Sequence, residues 1–200
     1  MKLLIIRHGE SEADLLNVHE GRADFPLTQR GERQASAMAE YVSTRYDLTK
    51  IYCSTLKRAH RTAELLSEAS GAPLTPDDRL REFNNGLLAG LDRQTAREKY
   101  PIVPGVPLHD AVYEQESKLE FRFRADYMLS KILSENGTED TVAVVTHGGM
   151  INQLYHAFLR LNVESGLLFP TGDTGIHEWR VNGSDRIVMF SNYTAHTEGI

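Results

Sequence analysis

The 200-residue chain contains a single cysteine, Cys53, so it can form no internal disulfide and no cysteine-rich metal site. It also lacks any apolar run long enough to cross a membrane. Only four apolar residues separate Lys2 from Arg7, too few for the apolar region of a signal peptide. We therefore expect a cytoplasmic protein without membrane attachment.

Positive charge is scarce as well. The chain has 22 lysines and arginines against 28 aspartates and glutamates, a formal net charge of −6. Because a general nucleic-acid binder normally carries a basic balance or patch, we expect no nucleic-acid partner. The eight histidines show no spacing typical of a metal site, so we also expect no metal and no other cofactor. A small anion could still bind where a few cations converge.

Apolar segments of strand length alternate with amphipathic segments of helical length, which indicates an α/β fold with a largely parallel sheet. The predicted strands are residues 3–6, 51–53, 141–146, 175–181 and 187–190. The predicted helices are residues 30–46, 57–70, 149–161 and about 117–134. Asn182-Gly183 is a strong two-residue hairpin signal, so the last two strands should form an antiparallel pair.

We predict one domain over residues 1–200, with a short lid-like excursion near 92–124. Residues 100–115 hold three of the seven prolines, which favours an irregular segment. Two interpretations of this segment stay open. It could cover a substrate, or it could be a plain surface loop.

Polar and charged side chains suited to anion chemistry are concentrated in five short segments, each at or just after a predicted strand or helix start. They are RHGES (7–11), DFPLT (24–28), STLKRA (54–59), LREF (80–83) and THGG (146–149). In an open α/β sheet, ligands bind beyond the carboxyl ends of the strands, so side chains from these segments can converge. Each segment alone could be structural, but their joint appearance in this order is hard to assign to chance.

Together the five segments resemble the histidine phosphatase superfamily, the phosphoglycerate mutase-like group with an Arg-His-Gly motif. The resemblance covers nearly the whole chain, from Arg7 to residues 192–196. It implies a three-layer α/β/α fold with a mixed, mostly parallel central sheet. It also implies a reaction that passes through a phosphohistidine.

The resemblance implies a role for each matching residue. His8 is similar to the family's nucleophile and Glu82 to its proton donor, while Arg7, Arg58 and His147 correspond to the phosphate pocket. The substrate-binding set implied in this way is Arg7, Arg58, His147, Gly148, Ser11, Asn17, Glu20 and Gly21.

These roles are physically consistent. Negative charge spreads over the oxygens of a phosphoryl group in transfer, and two guanidinium forks can stabilise it. His8 must then be neutral at its attacking nitrogen, with the other ring nitrogen donating to an acceptor. His147 would best serve as a positively charged donor to the phosphate.

The sequence departs from the family pattern at two positions. Asp14 and Glu20 stand where family members commonly carry amides, and Asn17 could substitute for the first. Carboxylates there would repel a phosphate dianion unless they are protonated, paired or turned away. We favour the interpretation that both pair with neighbouring cations such as Arg22 and do not face the phosphate. The alternative is that one of them reads a cationic group on the substrate.

We therefore expect a histidine acid phosphatase-type phosphoric monoester hydrolase that acts on a small phosphorylated metabolite, as a monomer or homodimer. The alternatives are a cofactor-dependent phosphoglycerate mutase and, third, a non-catalytic protein that binds phosphorylated ligands. Mutases of this family are typically longer after the Glu82 region, where this chain has only the stretch 92–115. Arg122 and Arg124 either line the rim of the pocket or are solvated helix charges.

Overall fold

All 200 residues are described by the structure, a computed structural model. Its centre is a six-stranded sheet in the order β3-β2-β4-β1-β5-β6. The strands are β1 (Lys2–Arg7), β2 (Lys50–Cys53), β3 (Leu74–Pro76), β4 (Thr141–Thr146), β5 (Ile176–Asn182) and β6 (Asp185–Tyr193). Three pairings are parallel (β1 with β4, β2 with β4, β2 with β3), and β5 pairs antiparallel with both β1 and β6. The predicted mixed, mostly parallel sheet and terminal hairpin are confirmed.

Helices cover both faces of this sheet. They are α1 (Glu12–Leu16), α2 (Gln29–Ser43), α3 (Lys57–Ser70), α4 (Arg93–Lys99), α5 (Lys118–Glu135) and α6 (Gly148–Phe158). Helices α2 and α3 pack together over one face, and α5 and α6 over the other, so the three-layer architecture is confirmed. No helix has the length and apolar content that a membrane crossing would need.

Strand β1 shows why the central strands are apolar throughout. Leu3 and Ile5 pack into the core under α5 and α6, whereas Leu4 and Ile6 pack into the core under α2 and α3. Successive side chains of a strand point to opposite faces, so a strand covered on both sides needs apolar residues at every position. Such a strand is rigid up to its last residue, where the polar motif begins.

Local signals set the ends of the helices that carry functional residues. The Thr28 hydroxyl accepts from the Gly31 N–H at 2.9 Å and caps α2. Helix α3 ends at Gly71, which adopts a left-handed conformation with φ of 73°. Ser117 and Glu120 form a reciprocal capping box at the start of α5.

Strand β3 and helices α1 and α4 are short elements that the sequence did not predict, as are three single-turn 3₁₀ helices at residues 78–80, 86–88 and 195–197. Strand β3 has only three residues and ends in a proline at the sheet edge, while α1 has five residues and α4 seven. Elements this short show no clear hydrophobic period. Residues 100–117 form neither helix nor strand, which agrees with the irregular segment expected there. The single-domain organisation and the lid role of 92–124 stay predictions.

Candidate active site

Two histidines lie side by side at the carboxyl ends of neighbouring strands. Strands β1 and β4 are parallel and adjacent, with Arg7 in register with Thr146, so the next residues, His8 and His147, emerge together. Their ring centroids are 5.0 Å apart. His8 is 1% exposed and His147 is fully buried. The sheet topology thus unites the first and last of the five segments.

The His8 ring is neutral and its orientation is set by hydrogen bonds at both nitrogens. Nδ1 lies 2.7 Å from the Gly9 carbonyl oxygen, and the Arg58 Nε–H points at Nε2 from 3.2 Å. The proton is therefore assigned to Nδ1, which leaves a lone pair on Nε2. Burial holds the pKa of His8 well below its usual value, and the charges of Arg58 and Arg7 lower it further. This is the protonation state that we expected for His8.

Arg58 lies in the first turn of α3, and its side chain is fully buried. Its Nη1 donates to the Ala23 carbonyl at 3.0 Å and its Nη2 to the Gly21 carbonyl at 3.1 Å. These two bonds fix the guanidinium plane and direct Nε toward His8. Gly21, predicted to bind substrate, thus holds Arg58 through its backbone oxygen.

Arg7, the last residue of β1, is held by the loop before β5. Its Nη1 donates to the Thr171 carbonyl at 2.9 Å, and its Nη2 pairs with Asp173 at 3.3 Å. Its Nε is buried and has no partner. No motif in the sequence pointed to Thr171 or Asp173, because their role depends on the antiparallel pairing of β5 with β1.

His147 precedes α6 and contacts Ser54 of the STLKRA segment. Its Nε2 lies 2.7 Å from the Ser54 hydroxyl, while its Nδ1 is buried without a partner. Burial lowers the pKa of His147 well below its usual value, and the charge of Arg58 adds to the effect. Desolvation therefore disfavours the imidazolium of His147, whereas the charged donor that we expected is the form that a bound phosphate favours, so this role stays a prediction. A neutral imidazole still offers one N–H to an anion.

Glu82 is held by two backbone N–H groups. Its Oε2 accepts from Gly149 at 2.8 Å and its Oε1 from Phe83 at 2.7 Å. A Cβ on Gly149 would lie 2.3 Å from Oε1, so this close approach requires glycine. Glu82 forms no ion pair. Its carboxylate is thus positioned beside the His147 strand end without a cationic partner.

Arg124 braces the segment that carries Glu82. Its Nη1 donates to the carbonyls of Arg79 and Arg81 at 2.7 and 2.8 Å, and its Nη2 to the Glu82 carbonyl at 3.2 Å. Nη2 also pairs with the Glu116 carboxylate at 2.6 Å. Arg124 is therefore neither a rim residue with a free guanidinium nor a solvated helix charge, the two roles we considered.

Arg122 is likewise not a solvated charge, for a different reason. It donates to the carbonyls of Leu161 and His156, at 3.1 and 3.3 Å, and so binds the C-terminal end of α6. Its Nε pairs with Asp126 at 2.8 Å. Arg122 connects α5 to α6 and makes no hydrogen bond to His8 or His147.

Glu20 faces the site, which differs from the interpretation we favoured. Its Oε1 lies 3.1 Å from the Arg58 Nε and accepts a hydrogen bond from the Ser11 hydroxyl, and its Oε2 lies 3.8 Å from the His8 Nε2. Glu20 does pair with a cation, but the cation is Arg58 and not Arg22. Burial raises the pKa of Glu20, against the opposing effects of Arg58 and Ser11.

Asp14 lies further out. The Ser11 N–H donates to its Oδ2 at 2.9 Å, the Ser11 hydroxyl oxygen lies 3.0 Å from the same oxygen, and its Oδ1 is 4.0 Å from the Arg7 Nη2. Its side chain is 39% exposed, so solvent screens much of its charge. Ser11, predicted to bind substrate, thus holds both carboxylates.

Two predicted substrate-binding residues remain. Asn17 is exposed and left-handed, with φ of 51°, and its Oδ1 accepts from the Arg93 Nε at 2.9 Å. The structure therefore turns its amide toward α4 and not toward His8. Gly148 begins α6 next to His147, and a Cβ there would meet no protein atom within 4 Å.

These contacts define an α/β protein in which a neutral histidine and two arginines lie at the carboxyl ends of the strands, the edge of an α/β sheet where ligands bind. The family described as "Histidine phosphatase superfamily (branch 1)" matches residues 3–194. The chain belongs to this superfamily.

Individual relatives include proteins named as phosphatases and as mutases. "Phosphoserine phosphatase 1" of Hydrogenobacter thermophilus is 27% identical over 98% of this chain and 94% of its own length. "Probable phosphoglycerate mutase GpmB" of Citrobacter koseri is 39% identical over 80% of this chain and 76% of its own length. Among solved structures, "Bacillus stearothermophilus YhfR" superimposes with a TM-score of 0.86 at 27% identity, covering 98% of both chains.

Proposed function

We propose that this protein is a phosphatase of the histidine acid phosphatase type, which hydrolyses small phosphomonoesters through a phosphohistidine on His8. The observation that carries this proposal is the buried Nε2 lone pair of His8, with the Arg58 Nε–H 3.2 Å away. A neutral nucleophile beside a fixed guanidinium suits attack on an anionic phosphoryl group.

In the first step, the His8 Nε2 attacks phosphorus, the N–P bond forms and the bond from phosphorus to the ester oxygen breaks. Arg58, Arg7 and the unpartnered Nδ1 side of His147 stabilise the charge on the phosphoryl oxygens. Glu82, in its protonated form, gives its proton to the leaving alkoxide.

In the second step, a water molecule attacks the phosphohistidine. Glu82, now a carboxylate, takes a proton from this water while the new O–P bond forms. The N–P bond breaks and its electron pair returns to Nε2, which regenerates His8 and releases inorganic phosphate. The arginines supply the positive charge in both steps, so the cycle requires no metal ion.

The substrate is expected to carry its phosphate on a small organic group. Residues 100–117 form a cavity of about 320 Å³ with Phe83, the direct neighbour of Glu82, which supports a substrate-covering role for this segment. The name of the Hydrogenobacter relative makes small carboxylated phosphomonoesters the first candidates. Sugar phosphates and nucleotide-precursor phosphates are further candidates.

Mutase activity is the second candidate function, because the Citrobacter relative carries that name at 39% identity. A mutase must pass the phosphoryl group from His8 to a second hydroxyl and keep water out. It would interconvert 2- and 3-phosphoglycerate after priming with bisphosphoglycerate, and would release little phosphate.

Phosphate release from a panel of small phosphomonoesters, measured with EDTA present, tests the proposal. The panel includes O-phosphoserine and 3-phosphoglycerate. We expect release by the wild-type protein and none by His8→Ala. His60→Ala is the matched control, because His60 lies part-exposed on α3 and pairs only with Glu64 at 3.2 Å. Interconversion of phosphoglycerates without release would favour the mutase, and release that survives His8→Ala would contradict the phosphohistidine mechanism.

A further inference from the structure

The carboxylate of Glu20 lies where a phosphoryl group would have to bind. It is 3.1 Å from the Arg58 Nε and 3.8 Å from the His8 Nε2. Arg58 Nη1 and Nη2 each donate one hydrogen to a backbone carbonyl, whereas the Nε–H points at the His8 Nε2 from 3.2 Å. A phosphoryl group transferred to His8 must approach Nε2 beside this Nε–H. Because the Glu20 carboxylate lies next to the same two nitrogens, Glu20 and the phosphate compete for the positive charge of Arg58.

The surroundings of Glu20 make this competition costly for a dianion. The side chain is only 18% exposed, and the charged groups facing it are Arg58 from α3, Arg7 and His8 from the end of β1, and Asp14 from α1. The His8 ring is neutral, and Asp14 repels the carboxylate. When a phosphate pairs with Arg58, an ionised Glu20 would be left part-buried beside a second anion.

Two changes would relieve this repulsion. Glu20 can take up a proton, which removes its charge, or its side chain can move away from Arg58 toward solvent. Both cost free energy that a neutral side chain would not require. Burial raises the pKa of Glu20, so the cost of proton uptake falls as the solution becomes more acidic.

We propose that Glu20 is a specificity-determining residue, an internal carboxylate that occupies the phosphate position and must be protonated or displaced before a phosphoryl group binds. The inference rests on the proposed function in taking His8 and Arg58 as the phosphate site. It makes anion binding weak at neutral pH and couples it to the uptake of a proton. Phosphate affinity then rises as the pH falls through the raised pKa of Glu20.

Calorimetric titration with inorganic phosphate between pH 5 and 8 tests the proposal on the intact protein. Glu20→Gln removes the charge and retains an oxygen that can accept from Ser11, so the local contact is preserved. We expect this variant to bind phosphate about tenfold more tightly than wild type at pH 7.5, equivalent to about 1.4 kcal/mol. The difference should shrink as the pH falls through the raised pKa of Glu20, because the wild-type carboxyl then takes up a proton. Titration of phosphate itself is common to both proteins and cancels in the ratio.

The number of protons taken up on phosphate binding is a second measurement. It would not change if Glu20 had only a structural role. Repeating the titration in two buffers of different ionisation enthalpy measures the protons taken up on binding. Near neutral pH, wild type should take up more protons than Glu20→Gln. Glu12→Gln on the exposed side of α1 is the matched control and should behave as wild type. Asp14→Asn should give a smaller gain in affinity than Glu20→Gln, because Asp14 contacts neither Arg58 nor His8.

Equal affinity and equal proton uptake in wild type and Glu20→Gln would overturn the inference while leaving phosphate release, and so the proposed function, intact. Weaker phosphate binding by Glu20→Gln would also overturn it.

O-phosphoserine and 3-phosphoglycerate differ only in one group, which is an ammonium in the first and a hydroxyl in the second. If Glu20→Gln selectively lost affinity for O-phosphoserine, Glu20 would instead bind a positively charged group of the substrate. Absence of phosphate binding in both proteins at every pH, together with no phosphate release, would contradict the proposed function as well.

Discussion

Glu20 and Glu82 carry the same carboxylate, but the fold surrounds them with different partners. Glu20 pairs with the Arg58 guanidinium and accepts from the Ser11 hydroxyl, and its Oε2 lies 3.8 Å from the His8 Nε2. Glu82 accepts only from the backbone N–H groups of Gly149 and Phe83. In the proposed roles, Glu20 competes with an anion for the cation of the site, whereas Glu82 has no cation to neutralise and acts on the leaving group. Environment, and not residue type, thus separates the two proposed roles.

The backbone segments that carry the two carboxylates also differ in what they contact. The backbone beside Glu20 binds Arg58 directly, through the carbonyls of Gly21 and Ala23. The backbone of Glu82 is instead held from outside the site by Arg124. Changes near Glu20 should therefore alter anion binding, and changes near Glu82 should alter proton transfer.

Glu82→Gln should cause the largest loss of activity in this comparison. Without its proton, kcat for an alkyl phosphomonoester should fall by about 10²–10⁴-fold, the usual contribution of general acid–base catalysis. In a single-turnover experiment, phosphoryl transfer from p-nitrophenyl phosphate should fall much less, because its leaving group needs no proton. An equal loss for both substrates would contradict the role of Glu82 as proton donor.

Gly149→Ala should have the next largest effect. The new Cβ would lie 2.3 Å from the Glu82 Oε1 and must displace the carboxylate. A misplacement of this size can lower kcat by up to about 10²-fold. In a double-mutant cycle, Gly149→Ala should add little to Glu82→Gln. Gly166→Ala is the matched control, because a Cβ there meets no atom within 4 Å. Full additivity of the two changes would show that Gly149 acts independently of Glu82.

Arg124→Gln should lower kcat by roughly tenfold, less than the direct changes, because the Gly149 N–H still holds the carboxylate. The loss should again be larger for an alkyl phosphate than for p-nitrophenyl phosphate in a single turnover. Arg122→Gln is the companion variant on the same helix. Its buried hydrogen bonds to the end of α6 predict a stability loss of about 1–3 kcal/mol without this leaving-group dependence. If both variants lost more activity with an alkyl phosphate than with p-nitrophenyl phosphate, the result would contradict a positioning role of Arg124 for Glu82.

Asn17→Asp should have the smallest effect. The side chain points at Arg93, which an aspartate can also bind, and Asn and Asp both tolerate the left-handed backbone. Activity should stay within about twofold of wild type, as for most exposed substitutions. A large loss of phosphate affinity would show instead that the Asn17 amide reaches the phosphate.

Sequence patterns predicted the central elements well where hydrophobicity and end signals agreed. The bounds of β4 and α3 match the predicted 141–146 and 57–70, because β4 is buried on both faces and α3 ends at a glycine. The predicted helix from residue 30 begins one residue earlier and ends three residues earlier than expected. Strand β3 escaped prediction because a three-residue edge strand is defined by its partner β2 and not by its own sequence.

The site was predictable to the extent that motif residues follow strands. His8 and His147 meet because β1 and β4 are neighbours, and the five segments indicated this. The ion pair of Glu20 with Arg58 was not predictable, since it depends on how the loop after α1 crosses the start of α3. The hydrogen bond from Arg124 to the Glu82 carbonyl and the ion pair of Asp173 with Arg7 also join residues far apart in the sequence, so no local pattern indicated them.

Trapping the phosphoenzyme tests the central claim most directly. Wild type, Glu82→Gln and Glu20→Gln would each be mixed with p-nitrophenyl phosphate, quenched in alkali and examined by peptide mass spectrometry. Because the first step needs no proton with this substrate and the second needs a base, Glu82→Gln should accumulate phosphohistidine on His8. Glu20→Gln should turn over without such accumulation. Phosphorylation of another residue, or no accumulation in Glu82→Gln, would contradict the account.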